Sequence, residues 1–242
     1  MAIMKAIFLS DAHLKSSHSK RYRDLIRFFN TISHDVSHLI IVGDFFDFWF
    51  CSEDAIYPEF RQAIDTLLQL VDNGVHVVMF EGNHDFFLDE FFGKFGVTVY
   101  PDNATIELGG KKVYIAHGDT VDTTNSSYLL LRRILRSKLF HVMQRNIPSE
   151  LLWKIARFSS KTSRGYLAEP QDKLVHIMSE FSKKKFNEGF DAVVFGHCHR
   201  PVLERYRYHD VEKTFVILGD WVNYYSYLQY QGGIFTMSYY QP

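Results

Sequence analysis

Five short apolar runs in this chain each end in side chains able to hold a metal or move a proton. Val77-Val78-Met79-Phe80 leads to Gly82-Asn83-His84-Asp85, and Ala6-Ile7-Phe8-Leu9 leads to Asp11 and His13. Leu39-Ile40-Ile41-Val42 leads to Gly43-Asp44, Val113-Tyr114-Ile115-Ala116 to His117 and Asp119, and Ala192-Val193-Val194-Phe195 to Gly196-His197 and His199. Asp11, His13, Asp44, Asn83, His117, His197 and His199 together offer three oxygen donors and four imidazoles. Carboxylate with imidazole suits manganese, iron or zinc better than magnesium or calcium. One ion takes roughly four to six ligands including water. Seven side chains therefore fit two ions, with both oxygens of Asp44 available to bridge them. Two ions ~3.5–4 Å apart suit in-line hydrolysis of a phosphate ester by a bridging hydroxide, with no serine or cysteine nucleophile.

The runs themselves are rich in valine and isoleucine and too short for typical helices, so they read as buried strands. In layered α/β folds, ligands collect outside the carboxyl ends of the strands. Five strands ending in acids and imidazoles thus predict one polar site on one rim. Between them, helical spacing predicts helices over 20–33, 59–73 and 171–188, with a short one over 86–95. Further strands are expected at 97–100, 104–108, 202–208, 213–219 and 232–239, and the strand of the Val113 run is expected over 111–116, with Gly109-Gly110 before it as a hairpin turn. The fold class is α/β (α+β), a sheet-rich sandwich flanked by helices, expected as one domain over 1–242.

Local chemistry assigns provisional roles. Glycine lets the backbone turn tightly before Asp44. Asp11-Ala12-His13 in extended backbone would point both ligands the same way. Asp47 reads as an acceptor behind a ligand or a turn former, and Asp85 as an orienting partner for an imidazole. His84 is placed to protonate a leaving oxygen or bind phosphate; with Asp44 it is the candidate catalytic pair. Phe45, Phe46, Phe48, Trp49 and Phe50 form core packing or, alternatively, a wall for an apolar substrate. His18, His34 and His38 lie outside any ligand pattern and read as surface residues. Arg21, Arg23 and Arg27 read as a solvated helix face. Asp220-Trp221 comes after a late strand and is expected near the same rim.

The stretch 122–168 is different. Amphipathic helices are expected near 127–145 and 150–159, broken at Ile147-Pro148, with Ser149 as a cap. From Tyr128 to Tyr166 there are nine Lys/Arg and one acid, a net +8, which leaves −9 for the rest of a chain whose total is −1. One reading is a cap for an anionic amphiphile or an anionic lipid surface; the other is an ordinary helical hairpin with solvated charges. No base-reading motif accompanies the charge, so no nucleic-acid partner is expected. A hydrophobic fraction of 46% excludes a disordered chain. Cys51 and Cys198 have neither metal nor disulfide spacing. No run approaches the ~18 apolar residues of a membrane span, and no phosphate-binding loop with a following Lys-Ser or Lys-Thr occurs.

Asp11-x-His13, Gly43-Asp44, Gly82-Asn83-His84-Asp85, His117-Gly118-Asp119 and Gly196-His197-x-His199 resemble, in order, the motif series of the calcineurin-like metallophosphoesterases. The resemblance implies a double β-sheet sandwich flanked by helices. It also implies one metal on Asp11, His13 and His199, another on Asn83, His117 and His197, and Asp44 between them, with Mn2+ as the usual ion. Some members of this fold are binding scaffolds that have lost metal ligands; retention of all seven favours an enzyme.

Within the superfamily the chain is similar to the UDP-2,3-diacylglucosamine hydrolases of lipid A biosynthesis. This rests on Asp47-Phe48-Trp49, His117-Gly118-Asp119-Thr120, Gly196-His197-Cys198-His199-Arg200-Pro201 and Leu218-Gly219-Asp220-Trp221. That similarity implies cleavage at the α-phosphate to UMP and 2,3-diacylglucosamine 1-phosphate, a nucleotide-linked lipid substrate, and a helical lid at 122–168. It further implies a cytoplasmic enzyme held peripherally on the inner face of the bacterial inner membrane. Asn83, His84, Asn125, Tyr128, Ser163, Arg164 and His197 fall at or near substrate-holding positions. Two residues depart from the pattern: His84 stands where that family usually has arginine, and Asn125 where it usually has aspartate. They leave a related phosphodiesterase acting on another nucleotide-linked lipid or diphosphate as the alternative. On this reading, deleting 128–166 would spare a small phosphodiester and not a diacyl substrate.

Overall fold

The computed structural model describes residues 4–50, 55–148, 151–154, 171–208 and 210–242. Its strands are β1 (Lys5–Leu9), β2 (His38–Val42), β3 (His76–Phe80), β4 (Thr98–Tyr100), β5 (Asn103–Leu108) and β6 (Lys111–Ala116). Later in the chain come β7 (Ala192–Phe195), β8 (Pro201–Tyr208), β9 (Val211–Leu218), β10 (Ser226–Gln231) and β11 (Ile234–Tyr239). They form a six-stranded sheet in the order β11-β10-β1-β2-β3-β4 and a five-stranded sheet in the order β5-β6-β7-β9-β8. β1 to β4 pair in parallel, as do β6, β7 and β9. Parallel neighbours need a crossover, supplied by α1 (Lys20–Ile32), α2 (Arg61–Asp72) and, between β6 and β7, by a long connection ending in α6 (Gln171–Asn187).

Strand residues alternate between two apolar layers. Phe8, Ile40, Val42 and Phe80 meet Val113, Ile115, Val194 and Val216 in the space between the sheets. Their neighbours Leu9, Leu39, Ile41 and Met79 face outward onto Leu25, Phe29, Ile64 and Leu67 of α1 and α2. Val193, Phe195 and Phe215 face α6 through Leu174, Met178 and Phe186. Burial on both faces is why the strand runs are continuously apolar. The result is four layers, helix–sheet–sheet–helix, with the ligand-bearing strand ends on one side. Phe45, Phe46, Phe48 and Trp49 are buried in the outer layer beside α2, with Phe46 packed among Phe45, Trp49 and Phe60 at ring distances of 4.6–4.8 Å. Core packing is therefore their role.

Three local expectations are corrected. The strand expected at 232–239 is β11, and it is preceded by an unexpected strand, β10, from which it turns at Gly232 and Gly233, both with positive φ. These two strands join the first sheet beside β1, and do not continue the sheet that carries β9. The helix expected over 127–145 is also two, α4 (Ser126–Leu135) and α5 (Lys138–Arg145), because Ser137 stops one and caps the next by accepting from the Phe140 amide. The short helix near 86–95 is one turn, α3 (Asp89–Phe92), followed by a 3-10 turn. Residues 151–154 are helical, and the remainder of the expected second insertion helix lies outside the described residues. No described helix is long and apolar enough to cross a membrane.

Candidate metal centre

The expected ligand residues sit in the first turn beyond each strand, and most are in the left-handed region. Asp11, His13, Asp44, His197 and His199 have φ of 53°, 43°, 53°, 64° and 58°. That region is sparsely populated by residues other than glycine, although Asp and His tolerate it better than most, and such strain collects at functional sites. The extended Asp11-Ala12-His13 expected from sequence is thus corrected: the backbone coils there. It is held by Asp11 N–H donating to the Gly43 carbonyl at 3.1 Å and His13 N–H to the Asp44 carbonyl at 2.9 Å. Close approach also demands two glycines. A Cβ on Gly43 (φ +82°) would lie 2.3 Å from His117 Nδ1, and one on Gly82 would lie 2.0 Å from Asp44 Oδ1.

Among the described residues, three groups bring their ligand atoms within 4.8 Å of one another: Asp11–His13–His199, His13–Asp44–His84 and Asp11–Asp44–His117. Asp44 Oδ2 lies 3.6 Å from both His13 Nε2 and His117 Nε2, between the two groups of imidazoles. Asp11 Oδ1 lies 3.6 Å from His199 Nε2 and 3.8 Å from His13 Nε2. Asn83 Oδ1 lies 3.2 Å from His117 Nε2. The His197 ring meets the His117 ring edge-on with centroids 5.1 Å apart, outside the three tight groups.

Donor atoms ~2.0–2.2 Å from a shared ion stand ~3–4 Å from one another. The 3.6–3.8 Å spacings match that and are long for hydrogen bonds. Asp11 Oδ1 is fully buried with no hydrogen-bond partner, which is costly for a carboxylate unless a cation answers it. The residues present therefore fit divalent ions.

The electrostatics agree. Burial pushes the Asp11 carboxyl up, against the pull of His199 and His117. Burial acts the same way on Asp44, but His117 and His84 outweigh it and hold Asp44 well below the usual carboxylate range. Burial would lower His117 and His199, yet Asp44 raises the first to about 10 and Asp11 the second to about 9. Burial, with His117 beside it, drops His197 to about 4, and burial drops His13 well below its ordinary value. Protons on two imidazoles balance the two buried carboxylates of the metal-free cage; cations would replace those protons.

Several surrounding groups fix the ligands. His117 Nδ1 donates to the Val42 carbonyl at 2.9 Å, which leaves Nε2 for the cage. Asp220 Oδ2 stands 3.2 Å from His199 Nδ1, and this carboxylate is itself held by the amides of Val222, Asn223 and Tyr224. Asp47 stands 3.8 Å from His13 Nδ1, beyond hydrogen-bond distance, and pairs with Lys15 at 2.8 Å. His84 Nδ1 donates to the Asp47 carbonyl at 3.1 Å, while its own amide donates to Asp44 Oδ1 at 2.9 Å. Asp85 does not orient an imidazole. Its two oxygens accept from the amides of Asp44, Phe45, Phe46 and Gly82 at 2.7–3.0 Å, so it shapes the Asp44 turn. Burial and the Asp44 charge raise it to about 8, against those donated bonds.

Of the residues expected to hold substrate, Asn83 and His84 line the cage. The Asn125 side chain caps α4 by accepting from the Tyr128 amide at 3.2 Å, and Tyr128 donates its hydroxyl to Asp119 at 2.6 Å. Ser163 and Arg164 lie outside the described residues. A charge count treats the basic residues of 128–166 as one group, but two of them, Arg132 and Arg136, turn inward. Arg132 donates to Asp119 and Asp102, and Arg136 to Glu81 and the carbonyls of Gly82 and Pro101. Their spacing of four residues, one helical turn, is the signal the sequence offers for this. Arg21 is likewise not wholly solvated, since it donates to the His13 carbonyl at 3.4 Å. Cys198 packs as an apolar filler between the two ligand histidines and α6.

A sequence model of the calcineurin-like phosphoesterase family matches residues 4–201. The chain belongs to that family. This phosphoesterase is 31% identical over 217 residues to "UDP-2,3-diacylglucosamine hydrolase" of Pseudomonas fluorescens (strain Pf0-1), covering 89% of this chain and 87% of that protein. It is 32% identical over 218 residues to the protein of the same name in Pseudomonas putida (strain W619), covering 89% and 90%. Its fold is similar to that of a solved archaeal phosphodiesterase, with a TM-score of 0.51 at 17% identity over 98% of this chain and 100% of that one. The phosphoesterase is a metal-dependent hydrolase of phosphoric esters, and its Asp/His cage is suited to divalent ions.

Proposed function

We propose that this phosphoesterase cleaves the diphosphate of UDP-2,3-diacylglucosamine at the α-phosphate, giving UMP and 2,3-diacylglucosamine 1-phosphate in lipid A biosynthesis. Asp11, His13 and His199 would hold one ion, Asn83, His117 and His197 the other, and Asp44 would bridge them. Two such ions, Mn2+ being the usual one in the family, would supply Lewis-acid stabilisation of phosphoryl oxygens and a hydroxide nucleophile at neutral pH. The cage carries only two carboxylates, so loaded with two divalent ions it has a net charge near +2, and a diphosphate answers that charge. Asp44 sets the spacing of the two halves. His84, whose Nδ1 donates to the Asp47 carbonyl, would give a proton from Nε2 to the leaving oxygen or hydrogen-bond a phosphoryl oxygen only as the imidazolium.

One observation carries the substrate class. Beside this cage, α4 and α5 expose Leu130, Leu131, Ile134, Leu139, Val142 and Met143, interspersed with exposed Arg133 and Lys138. Large exposed apolar area on a folded domain marks a binding surface, and basic residues among it favour an anionic amphiphile or a lipid headgroup layer. On this reading residues 122–168 form the lid for the acyl chains and the contact with the inner face of the bacterial inner membrane. The relatives bearing that hydrolase name support the same substrate. The test is direct: purified protein with Mn2+ and UDP-2,3-diacylglucosamine, with products identified by mass. UMP and the lipid monophosphate are expected; intact substrate beside hydrolysis of a generic phosphodiester would refute the lipid assignment. A second reading, another nucleotide-linked lipid or diphosphate, is favoured by His84 in the cage and by the engagement of Asn125 in capping α4. UDP- and CDP-linked lipids compared side by side decide between them.

A further inference from the structure

The insertion reaches the loops of the metal centre through two arginines, with Tyr128 sharing Asp119 with one of them, and two of the arginine contacts fall on backbone carbonyls. Arg136 closes α4. Its guanidinium donates 2.7 Å to the carbonyl of Gly82, the residue immediately before Asn83, and 2.6 Å to the carbonyl of Pro101. It also pairs with buried Glu81 at 2.9 Å, whose other oxygen accepts from the Leu88 amide at 2.8 Å. The planar fork lies 5.5 Å over the Phe86 ring. One side chain therefore holds the start of the loop that carries Asn83 and His84, and Glu81 links that start to the Leu88 amide at its far end. Arg132, one turn earlier, donates 2.7 Å to Asp119, two residues beyond His117, and pairs with Asp102 at 2.6 Å. Nothing comparable from the insertion reaches Asp11, His13 or His199 among the described residues, where Asp220 and Asp47 of the body stand instead.

We propose that Arg136 is a positioning residue for the metal centre: by holding the Gly82 carbonyl and Glu81 together it sets the Gly82–Asn83 peptide, and so the aim of the Asn83 amide oxygen at its ion. The insertion is then part of the scaffold of one half of the cage as well as a cover over it. The loop has little freedom of its own to compensate. A side chain on Gly82 would strike Asp44, and Asn83 Oδ1 already sits 3.2 Å from His117 Nε2. Lysine keeps the charge opposite Glu81 but cannot donate in a fixed fork to two carbonyls, so Arg136→Lys is not a neutral change. The inference rests on the two-ion reading of the cage and is independent of which lipid is cleaved.

The experiment uses the full chain and no lipid. Mn2+ is titrated calorimetrically into wild type, Arg136→Gln and Arg136→Lys, and the same proteins are assayed on bis(4-nitrophenyl) phosphate. Wild type is expected to bind two ions. Arg136→Gln is expected to keep one at wild-type affinity and to bind the other about 10-fold or more weakly, as when a group supporting a metal ligand is removed. Its kcat on the small diester falls in step at limiting Mn2+ and recovers as Mn2+ is raised, with KM unchanged, and Arg136→Lys lies between. Two ions bound with unaltered affinity and unaltered kcat would overturn the proposal. So would equal weakening of both ions together with a lowered melting temperature, which would mark a general loss of structure. Fewer than two ions in the wild type would instead remove the two-ion reading itself, and the proposal with it.

Discussion

On the proposed two-ion assignment, the two halves of the metal cage are held in place by different parts of the chain. His199 is backed by Asp220, and Asp47 stands 3.8 Å from His13, both on the sheet rim. Asn83 and His117 are carried by loops tied to helix α4 through Arg136 and Arg132. The first half is fixed by the sheets and their own loops; the second depends on a segment that also exposes an apolar face. An enzyme built this way could make one ion's site sensitive to whatever the insertion binds. If Arg136 positions the Asn83 loop as proposed, deleting 128–166 does not spare hydrolysis of a small phosphodiester. Removing Arg132 and Arg136 is now expected to weaken that reaction too, which an assay of the deletion variant on a generic diester would show.

The largest effect should come from the residue common to both halves. Asp44→Ala is expected to lower turnover on the order of 10³-fold, about 4 kcal/mol of transition-state stabilisation, while circular dichroism shows a folded chain. Turnover near wild type would break the bridge assignment. Phe46→Ala, by contrast, should act on stability: its ring is fully buried among other aromatics, and the loss should be about 3–5 kcal/mol in a denaturant melt. Less than about 1 kcal/mol would mean the aromatic layer is not the core it is taken for.

Next in size, Asp220→Asn should weaken one ion about 10-fold, and it should be the ion that Arg136→Gln leaves alone. If both variants weakened the same ion, the division of the cage would be wrong. Proton linkage sharpens the point. His117 and His199 titrate near 10 and 9 in the metal-free chain, above the ordinary 6.5. Their contribution to metal-free stability is full below pH 6.5 and lost as pH rises through about 9 to 10. Both are protonated at about pH 7, so metal binding must displace protons, and Mn2+ affinity should rise with pH over that window. Calorimetry in buffers of different ionisation enthalpy measures the release; none near neutral pH would contradict the charge pattern.

The smallest effect on the fold is expected at the exposed apolar face. Leu139→Asp should change stability by no more than about 0.5 kcal/mol and leave the small diester reaction intact. Association with anionic vesicles should weaken, and unchanged association would argue against this face as the lipid contact.

How much of this arrangement is legible in the sequence varies by region, for physical reasons. The strand ends are legible because strands buried on both faces leave unbroken apolar runs, and the polar residues just past each run stand at the rim. The left-handed turns at Asp11, His13 and Asp44 are not, because aspartate and histidine carry no propensity strong enough to announce positive φ. Asp85 misleads for a related reason: a carboxylate beside a histidine looks like its partner, yet backbone amides, most of them from the Asp44 turn, claim it. β10 escapes because Ser226-Tyr227-Leu228-Gln229-Tyr230 mixes polar residues among apolar ones, unlike the continuous runs elsewhere. Arg132 and Arg136 blend with the other cations of the insertion, since charge counts do not tell an arginine that faces water from one that clasps a carbonyl.

The most direct measurement is the metal stoichiometry of wild type and Asp44→Ala, taken by Mn2+ titration alongside phosphodiester hydrolysis. Two ions in the wild type, at most one held tightly in the variant, and activity lost with the second ion is the predicted result. A single ion in an active wild type, or full activity in Asp44→Ala, would contradict it.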